Sequence, residues 1–503
     1  MALCSPLLVE TVVWFLERWS KTYLFPSTRD SETFSHNLLG AYGQNSPRGK
    51  AVIGFLVEKL DLVFMGWRAQ EDVLKELARL LETLSMHQHI RGEILRSTQW
   101  MGLMQNVVNN LHILPSEVQS SLIEHLCRMA SGAEQTSVQT HFITLLTNVA
   151  ETRLRSLLGP DFTKMAQRGE SIAQLIVCFE MFRGVAMASD GSNFEIIFNF
   201  SASYFDSFVK LMDYYHNFPE VVLVIFKFYN SFIECQLPYL NTKQMDVVFR
   251  SILSLFQVYA SKNAGKKRAG RHGEEDDLQE DIVFMLKIMT NLISKDFLDF
   301  SDDAGWYSLA SFTEEKQNKT KSSFFVSGYS AEVFIRPEPG FTQVSDVVFY
   351  GLNIVIPLIN AGLLQFPELC LQYFKLIVFM IEIYSEKLVG LPQPLFQSLM
   401  KSLEFGIEGA NNAEVAKLTM EALSGLGSYC DTAKTKGDNS PVVQLLSSTL
   451  DTFLVLVMRL ILFKDFDSNL MEPASESLFA MICARFVSTL SSNTFLAKDA
   501  PPN

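Results

Sequence analysis

FPELCLQYFKLIVFMIE, residues 366–382, has a near twin in FPEVVLVIFKFYNSFIE, residues 218–234. Phe, Pro and Glu open both, and Leu, Phe, Lys, Ile and Glu fall at matching offsets, 8 identities in 17 with starts 148 residues apart. Apolar residues in both recur at helical spacing, and the second-position Pro marks a helix start, where its missing N–H costs nothing. VVFRSILSLF (247–256) follows the first copy and SLMKSLEFGI (398–407) the second, with Arg250-Ser251 and Lys401-Ser402 at similar offsets. The repeated unit is therefore a pair of helices.

The same period runs through the chain. In 12–24, Val12, Phe15, Leu16, Trp19 and Tyr23 form one stripe; in 71–84, Val73, Leu74, Leu77, Leu80, Leu81 and Leu84 form another. Further helices are expected at about 50–65, 90–110, 116–130, 135–157, 170–187, 194–216, 220–234, 242–260, 277–297, 344–360, 368–385, 394–408, 413–429, 441–463 and 470–489. Period-2 alternation is nearly absent. Pro115, Pro160, Pro219, Pro367 and Pro441 stand at expected helix starts. A spacing of 148 is close to four times 37, near the beat of HEAT and armadillo-type helix pairs of roughly 40 residues. A hairpin of this kind carries too much apolar surface to stand alone, so stacking on neighbours buries it. The expected fold class is all-α, an α-solenoid superhelix of stacked antiparallel helix pairs.

The expected organisation is HEAT-like repeats over 1–300, a long polar insertion over 301–341, HEAT-like repeats over 342–490 and a disordered tail over 491–503. Residues 262–277, KNAGKKRAGRHGEEDD, swing from basic to acidic and are read as a solvated loop. The end, FLAKDAPPN, lacks the polar cap of a finished solenoid, so a partial chain is expected.

Composition narrows the function. The 503 residues are 48% apolar with 40 Phe, and 42 Lys+Arg against 55 Asp+Glu give a charge of −13. That balance excludes the basic footprint of a nucleic-acid binder and suits basic protein partners. Seven scattered Cys without CxxC write neither a disulfide framework nor a zinc site. The start, MALCSPLLVETVVWFLERW, carries Glu10, Glu17 and Arg18 and is an amphipathic helix, not a signal peptide. Residues 347–367 pass without a charge, but Asn353, Pro357, Asn360 and Gln365 interrupt them. Two buried helices joined at a Pro-Asn turn fit better than a membrane span.

No phosphate loop, HExxH or GxSxG motif occurs, so no cofactor is expected and an enzyme is not. Gly425-Leu426-Gly427 lacks the third Gly of a dinucleotide loop and reads as a helix end. His87 with His89, and His125 with Cys127, have no further ligands nearby, so no metal is expected. Leu77, Leu80 and Leu81 fit an LxxLL box but read as core. What remains is acidity at helix ends. Asp296, Asp299 and Asp302, set among Phe297 and Phe300, together with Glu220, are the candidate cargo contacts. A negative patch of this kind steers basic side chains by Coulomb attraction.

VVWFLERWSKTYL (12–24), MTNLISKDFLDFSD (289–302) and above all 345–407, SDVVFYGLNIVIPLINAGLLQFPELC…SLMKSLEFGI, resemble the C-terminal half of exportin-4-type receptors, nuclear transport receptors of the importin-β superfamily. The resemblance implies an all-helical superhelix that binds protein cargo together with Ran-GTP and shuttles between nucleus and cytoplasm through the nuclear pore. It implies as partners the hypusine-bearing translation factor, Smad-type cargo and Phe-Gly nucleoporins, with import of some transcription factors; nucleic acid and membrane insertion are not among them. The family's principal Ran-contacting arm has no counterpart here, and the 303–340 insertion exceeds the family's linker.

Overall fold

The computed structural model describes residues 5–24, 37, 40–41, 46–159, 162, 168–263, 274–299, 342–360, 362–408, 412–438, 440–463 and 467–496. Among them regular structure is helical throughout, without a strand. The chain forms two compact units, Met1–Ser251 and Ile252–Asn503.

In the first unit the helices are α1 Pro6–Trp19, α2 Pro47–Gly66, α3 Glu71–Ser85, α4 Gln88–Arg96, α5 Thr98–Asn110, α6 Ser116–Ala130, α7 Thr136–Leu157, α8 Gly169–Met187, α9 Phe194–Ala202, α10 Phe205–Tyr214 and α11 Pro219–Gln236. α12, Thr242–Asn263, spans the boundary. The second unit continues with α13 Glu274–Asp299, α14 Val344–Val355, α15 Pro367–Val389, α16 Gln393–Glu408, α17 Ala413–Thr435, α18 Pro441–Phe463 and α19 Met471–Leu496. Sequence chemistry explains the boundaries. Pro6, Pro47, Pro219, Pro367 and Pro441 are first residues of their helices, with φ already set for the turn. Ser46 accepts from the Gly49 N–H at 2.9 Å and Asn412 from Glu414 at 2.9 Å, each satisfying an orphan donor.

Neighbours in sequence pair as hairpins, and every second element stacks. In the first unit α1, α3, α6, α8 and α11 pack in succession as one layer, with α2, α5, α7 and α9 as the other. In the second, α13, α15, α17 and α19 form one layer and α16 and α18 adjoin in the other. This is the all-α solenoid expected from the period. Each helix presents one stripe to the layer opposite and a flank to each neighbour, so apolar residues cover most of its circumference.

Among the described residues, buried Phe side chains gather mainly in the first unit's core. Phe182 stands 5.2 Å from Phe208 and 6.2 Å from Phe228, both edge-on, and Phe208 lies 5.1 Å from Phe228. Such pairs add about 0.5–1.5 kcal/mol each beyond the area they bury. Leu77, Leu80 and Leu81 are buried, so the LxxLL match is core. A polar node ties three hairpins together: Arg91 on α4 reaches Asp190 after α8 at 2.6 Å, and Ser131 after α6 donates to the same carboxyl at 2.8 Å. Burial pushes the Asp190 carboxyl up, but hydrogen bonds from Ser192, Arg91 and Ser131 outweigh it and hold the group below its ordinary range.

Several expectations are corrected. The single helix expected at 90–110 breaks at Ser97, and that at 194–216 breaks at Ser203 and Tyr204. The 344–360 helix stops at Val355; a turn and the short 3-10 segment Leu363–Gln365 follow, with Asn360 Oδ1 accepting from the Leu363 N–H at 2.9 Å. The charge-free 347–367 run is thus one short helix and a turn. Pro115 is the N-cap residue of α6, not its first. Pro160 and the 301–341 insertion lie outside the described residues. The last helix reaches Leu496, past the expected boundary at 490. Two helices, Pro219–Tyr239 and Pro441–Leu462, are long and apolar enough to cross a membrane, the first mostly buried in the fold.

Candidate protein-binding surface

Gly425 and Gly427 sit inside α17, neither in a phosphate loop nor at a helix end. Two residues apart on a helix, they point to opposite flanks. A Cβ on Gly425 would stand 2.7 Å from Ile381 Cγ2 on α15, and one on Gly427 would stand 2.9 Å from the Ala480 carbonyl carbon on α19. Bare backbone on both flanks lets α15 and α19 close tightly on α17. That approach has an electrostatic consequence. Glu382 follows Ile381, Glu421 is one turn before Gly425, and Glu476 is one turn before Ala480.

The carboxylates of Glu382, Glu421 and Glu476 form a ladder across three stacked helices. Burial among the helices, then the Glu421 charge, pushes Glu382 up to about 6, although part of the residue stays exposed. Glu421 is also raised: burial leads, Lys417 opposes it, and Glu414 and Glu476 add to it. Lys417 is 3.8 Å from Glu421, at the outer limit of an ion pair. Such a surface lowers its energy by accepting a cation from outside. Nearby, Phe479 on α19 is 70% exposed, an aromatic face next to the negative charge.

The residues singled out from sequence are not brought together. Glu220 is exposed in the first turn of α11, where a carboxylate complements the helix dipole. Asp296 and Asp299 fall in the last turn of α13; their side chains, and all of Asp302, lie outside the described residues. Glu382, Glu421 and Glu476 went unread, since nothing local separates them from other surface glutamates. The available signal was a Glu one turn before a small helix-interior residue, at Glu421 with Gly425 and Glu476 with Ala480.

Other chemistry-bearing groups are structural. His125 is buried with Nε2 3.1 Å from Ser121 Oγ, and burial, then Arg128, lowers it to about 3. Burial pushes the Cys127 thiol up, and that of Cys178 up to about 12, so neither supplies a thiolate. Among the described residues no group of three or more His, Cys, Asp or Glu is placed to hold a metal ion.

Residues 1–307 and 337–489 match the family model described as Exportin-4. Exportin-4 of Dictyostelium discoideum is 24% identical over 488 residues, covering 95% of this chain and 39% of the relative. The chain thus spans about two fifths of the length of that curated relative. Among solved structures, a circular tandem repeat protein aligns over 97% of this chain and 99% of its own at 11% identity and TM-score 0.35. A chain from a study of the phosphorylation switch between cadherin and β-catenin aligns over 96% and 98% at 12% identity and TM-score 0.21. At those scores neither likeness defines the fold.

Proposed function

Since the chain belongs to the exportin-4 family, a family of nuclear export receptors, we propose that it is the cargo-side portion of a receptor that captures protein cargo with Ran-GTP. The observation that carries the cargo half of this reading is the ladder of Glu382, Glu421 and Glu476 on one layer of the second unit. Carboxylates held close together, with Lys417 only at the outer limit of an ion pair, attract a basic partner and speed its approach. A long cationic side chain, as on a hypusine-bearing factor, suits closely set carboxylates beside an exposed Phe. Smad-type cargo and Phe-Gly nucleoporins are further partners on the family's pattern, with shuttling between nucleus and cytoplasm. The organisation into repeats over 1–300 and 342–490 around a polar insertion belongs to the same proposal. So do the contacts of Glu220, Asp296, Asp299 and Asp302.

Ran-GTP acts, in this reading, by favouring one curvature of the stacked helices, which raises cargo affinity by the ratio of its own affinities for the two forms. The test is capture of a basic cargo by the chain with Ran held in its GTP or its GDP form. GTP-dependent capture, lost with Glu421→Lys and Glu476→Lys, is the expected result. Nucleotide-indifferent capture points instead to a helical-repeat scaffold, and capture unaffected by both reversals removes the ladder from the reading.

A further inference from the structure

The twin segments, now α11 and the start of α15, can be compared position by position in three dimensions. Of the nine positions buried in the first copy only two are identical in the second, Phe226 with Phe374 and Ile233 with Ile381. Of the seven helical positions that are not buried in the first copy, two exposed and five half-buried, five are identical: Pro219 with Pro367, Glu220 with Glu368, Leu223 with Leu371, Lys227 with Lys375 and Glu234 with Glu382. Packing alone gives the opposite pattern. Cores restrict what fits, whereas solvent-facing substitutions usually change stability by less than about 0.5 kcal/mol. Pro219 with Pro367 and Glu220 with Glu368 also serve the helix start; Leu223, Lys227 and Glu234 with their counterparts remain, on the less buried side of each helix.

Glu, Lys and Glu recur seven residues apart along one side of each helix, charges alternating about every 10.5 Å at 1.5 Å rise per residue. That spacing is too wide for the pairing within a helix that joins residues three or four apart. The stripe is a ruler with alternating sign, and Leu lies between the first two marks.

We propose that each stripe docks an α-helix carrying a cation, an anion and a cation seven residues apart, with an apolar residue against Leu223 or Leu371, and that the chain holds two such helices. A helix is favoured because its rise equals that of the surface beneath it, so three pairs stay in register. An extended strand covers 10.5 Å in about three residues, which puts successive charges on opposite faces. Charges at heptad spacing also set pairing between helices in coiled coils. At the last mark of the second stripe, burial and Glu421 raise the Glu382 carboxyl, so an arriving cation is welcome there. Glu368 already reaches Lys287 at 2.6 Å, but this pair is exposed and a docking cation competes with it at little cost. The inference does not rest on the transport reading.

The probe is a synthetic 21-residue helix bearing Lys, Glu and Lys at heptad spacing with Leu on the same side, labelled for fluorescence anisotropy. A control peptide has the same composition with its central Glu moved three residues off the stripe. Titrations with the 503-residue chain at low ionic strength, and calorimetry for stoichiometry, are expected to give two sites, with the control about fivefold weaker or more. Lys227→Glu combined with Lys375→Glu is expected to weaken the probe by a similar factor, and a peptide with three Lys to recover the loss. Each single variant is expected to weaken one site by that factor and leave the other unchanged. Equal binding of probe and control overturns the proposal. So does tighter binding of the probe by the double variant, the result expected if negative charge alone attracts it.

Discussion

A single carbon decides how closely these helices stack. At Gly427 the wall facing a new side chain is the Ala480 backbone at 2.9 Å, and at Gly184 it is the Ser120 carbonyl oxygen, closer still. Backbone cannot swing aside, so Gly427→Ala and Gly184→Ala are each expected to destabilise by about 1–3 kcal/mol. Gly102 is mid-helix with nothing within 4 Å of its Cβ position, and Gly102→Ala is expected to stabilise by about 0.5–1 kcal/mol. Urea denaturation of the three variants measures the contrast; equal effects at Gly102 and Gly427 defeat it. Titration supplies a second residue-scale prediction. Between 4.5 and about 6 folded Glu382 binds more protons than the unfolded chain, so its contribution to stability is lost as pH rises through that window. Asp190 has the opposite sign: depressed in the fold, it contributes above the ordinary aspartate range and loses that as pH falls through its folded value. Glu382→Gln is therefore expected to stabilise at pH 7 and not at pH 4, and Asp190→Asn to destabilise at pH 7 with a shrinking effect in acid, both read from melting temperature against pH.

The element that sequence reading found first, the repeated helix, carries a device that the letters only hinted at. Ser251 and Ser402, noted for their offsets after the twin segments, are both buried. Each takes a tyrosine hydroxyl from the preceding helix of its twin, Tyr229 with Ser251 and Tyr373 with Ser402, the latter at 2.9 Å. Because Ser402 Oγ donates to the Leu399 carbonyl at 2.7 Å, Tyr373 is the donor to Ser402. The tyrosines sit one turn apart in the two copies, so no alignment of the segments pairs them. Tyr373→Phe and Tyr229→Phe are each expected to cost about 1 kcal/mol. A double-mutant cycle with Ser402→Ala isolates the pair, and zero coupling refutes the link. Helix existence and most boundaries were legible because apolar period and N-terminal Pro are local signals. The breaks at Ser97 and Ser203 were not, because neither Pro nor Gly stands at either position.

At the scale of the molecule, the chain passes from one compact unit to the next inside a helix, between Ser251 and Ile252. No change in composition marks that point, since α12 is continuous. Each unit has its own stacked layers, so stability is a sum of neighbouring interfaces and a single all-or-none transition is not expected. Scanning calorimetry is expected to resolve at least two transitions, one lowered by Gly184→Ala and another by Gly427→Ala. One transition, with both variants shifting it alike, counts against two independently cooperative units.

The sequence by itself determined the helices, their pairing and the repeat, because apolar period, Pro placement and the twin segments act over a few turns. It also bore the family resemblance and the acidic character. Only the tertiary structure decided which acidic residues share a surface. Glu382, Glu421 and Glu476 are far apart along the chain and meet because two glycines let three helices close together, a through-space event governed by contact distance. The same holds for the surface stripe in the twin segments, since burial, which the letters do not carry, separates the residues held by the core from those left facing out.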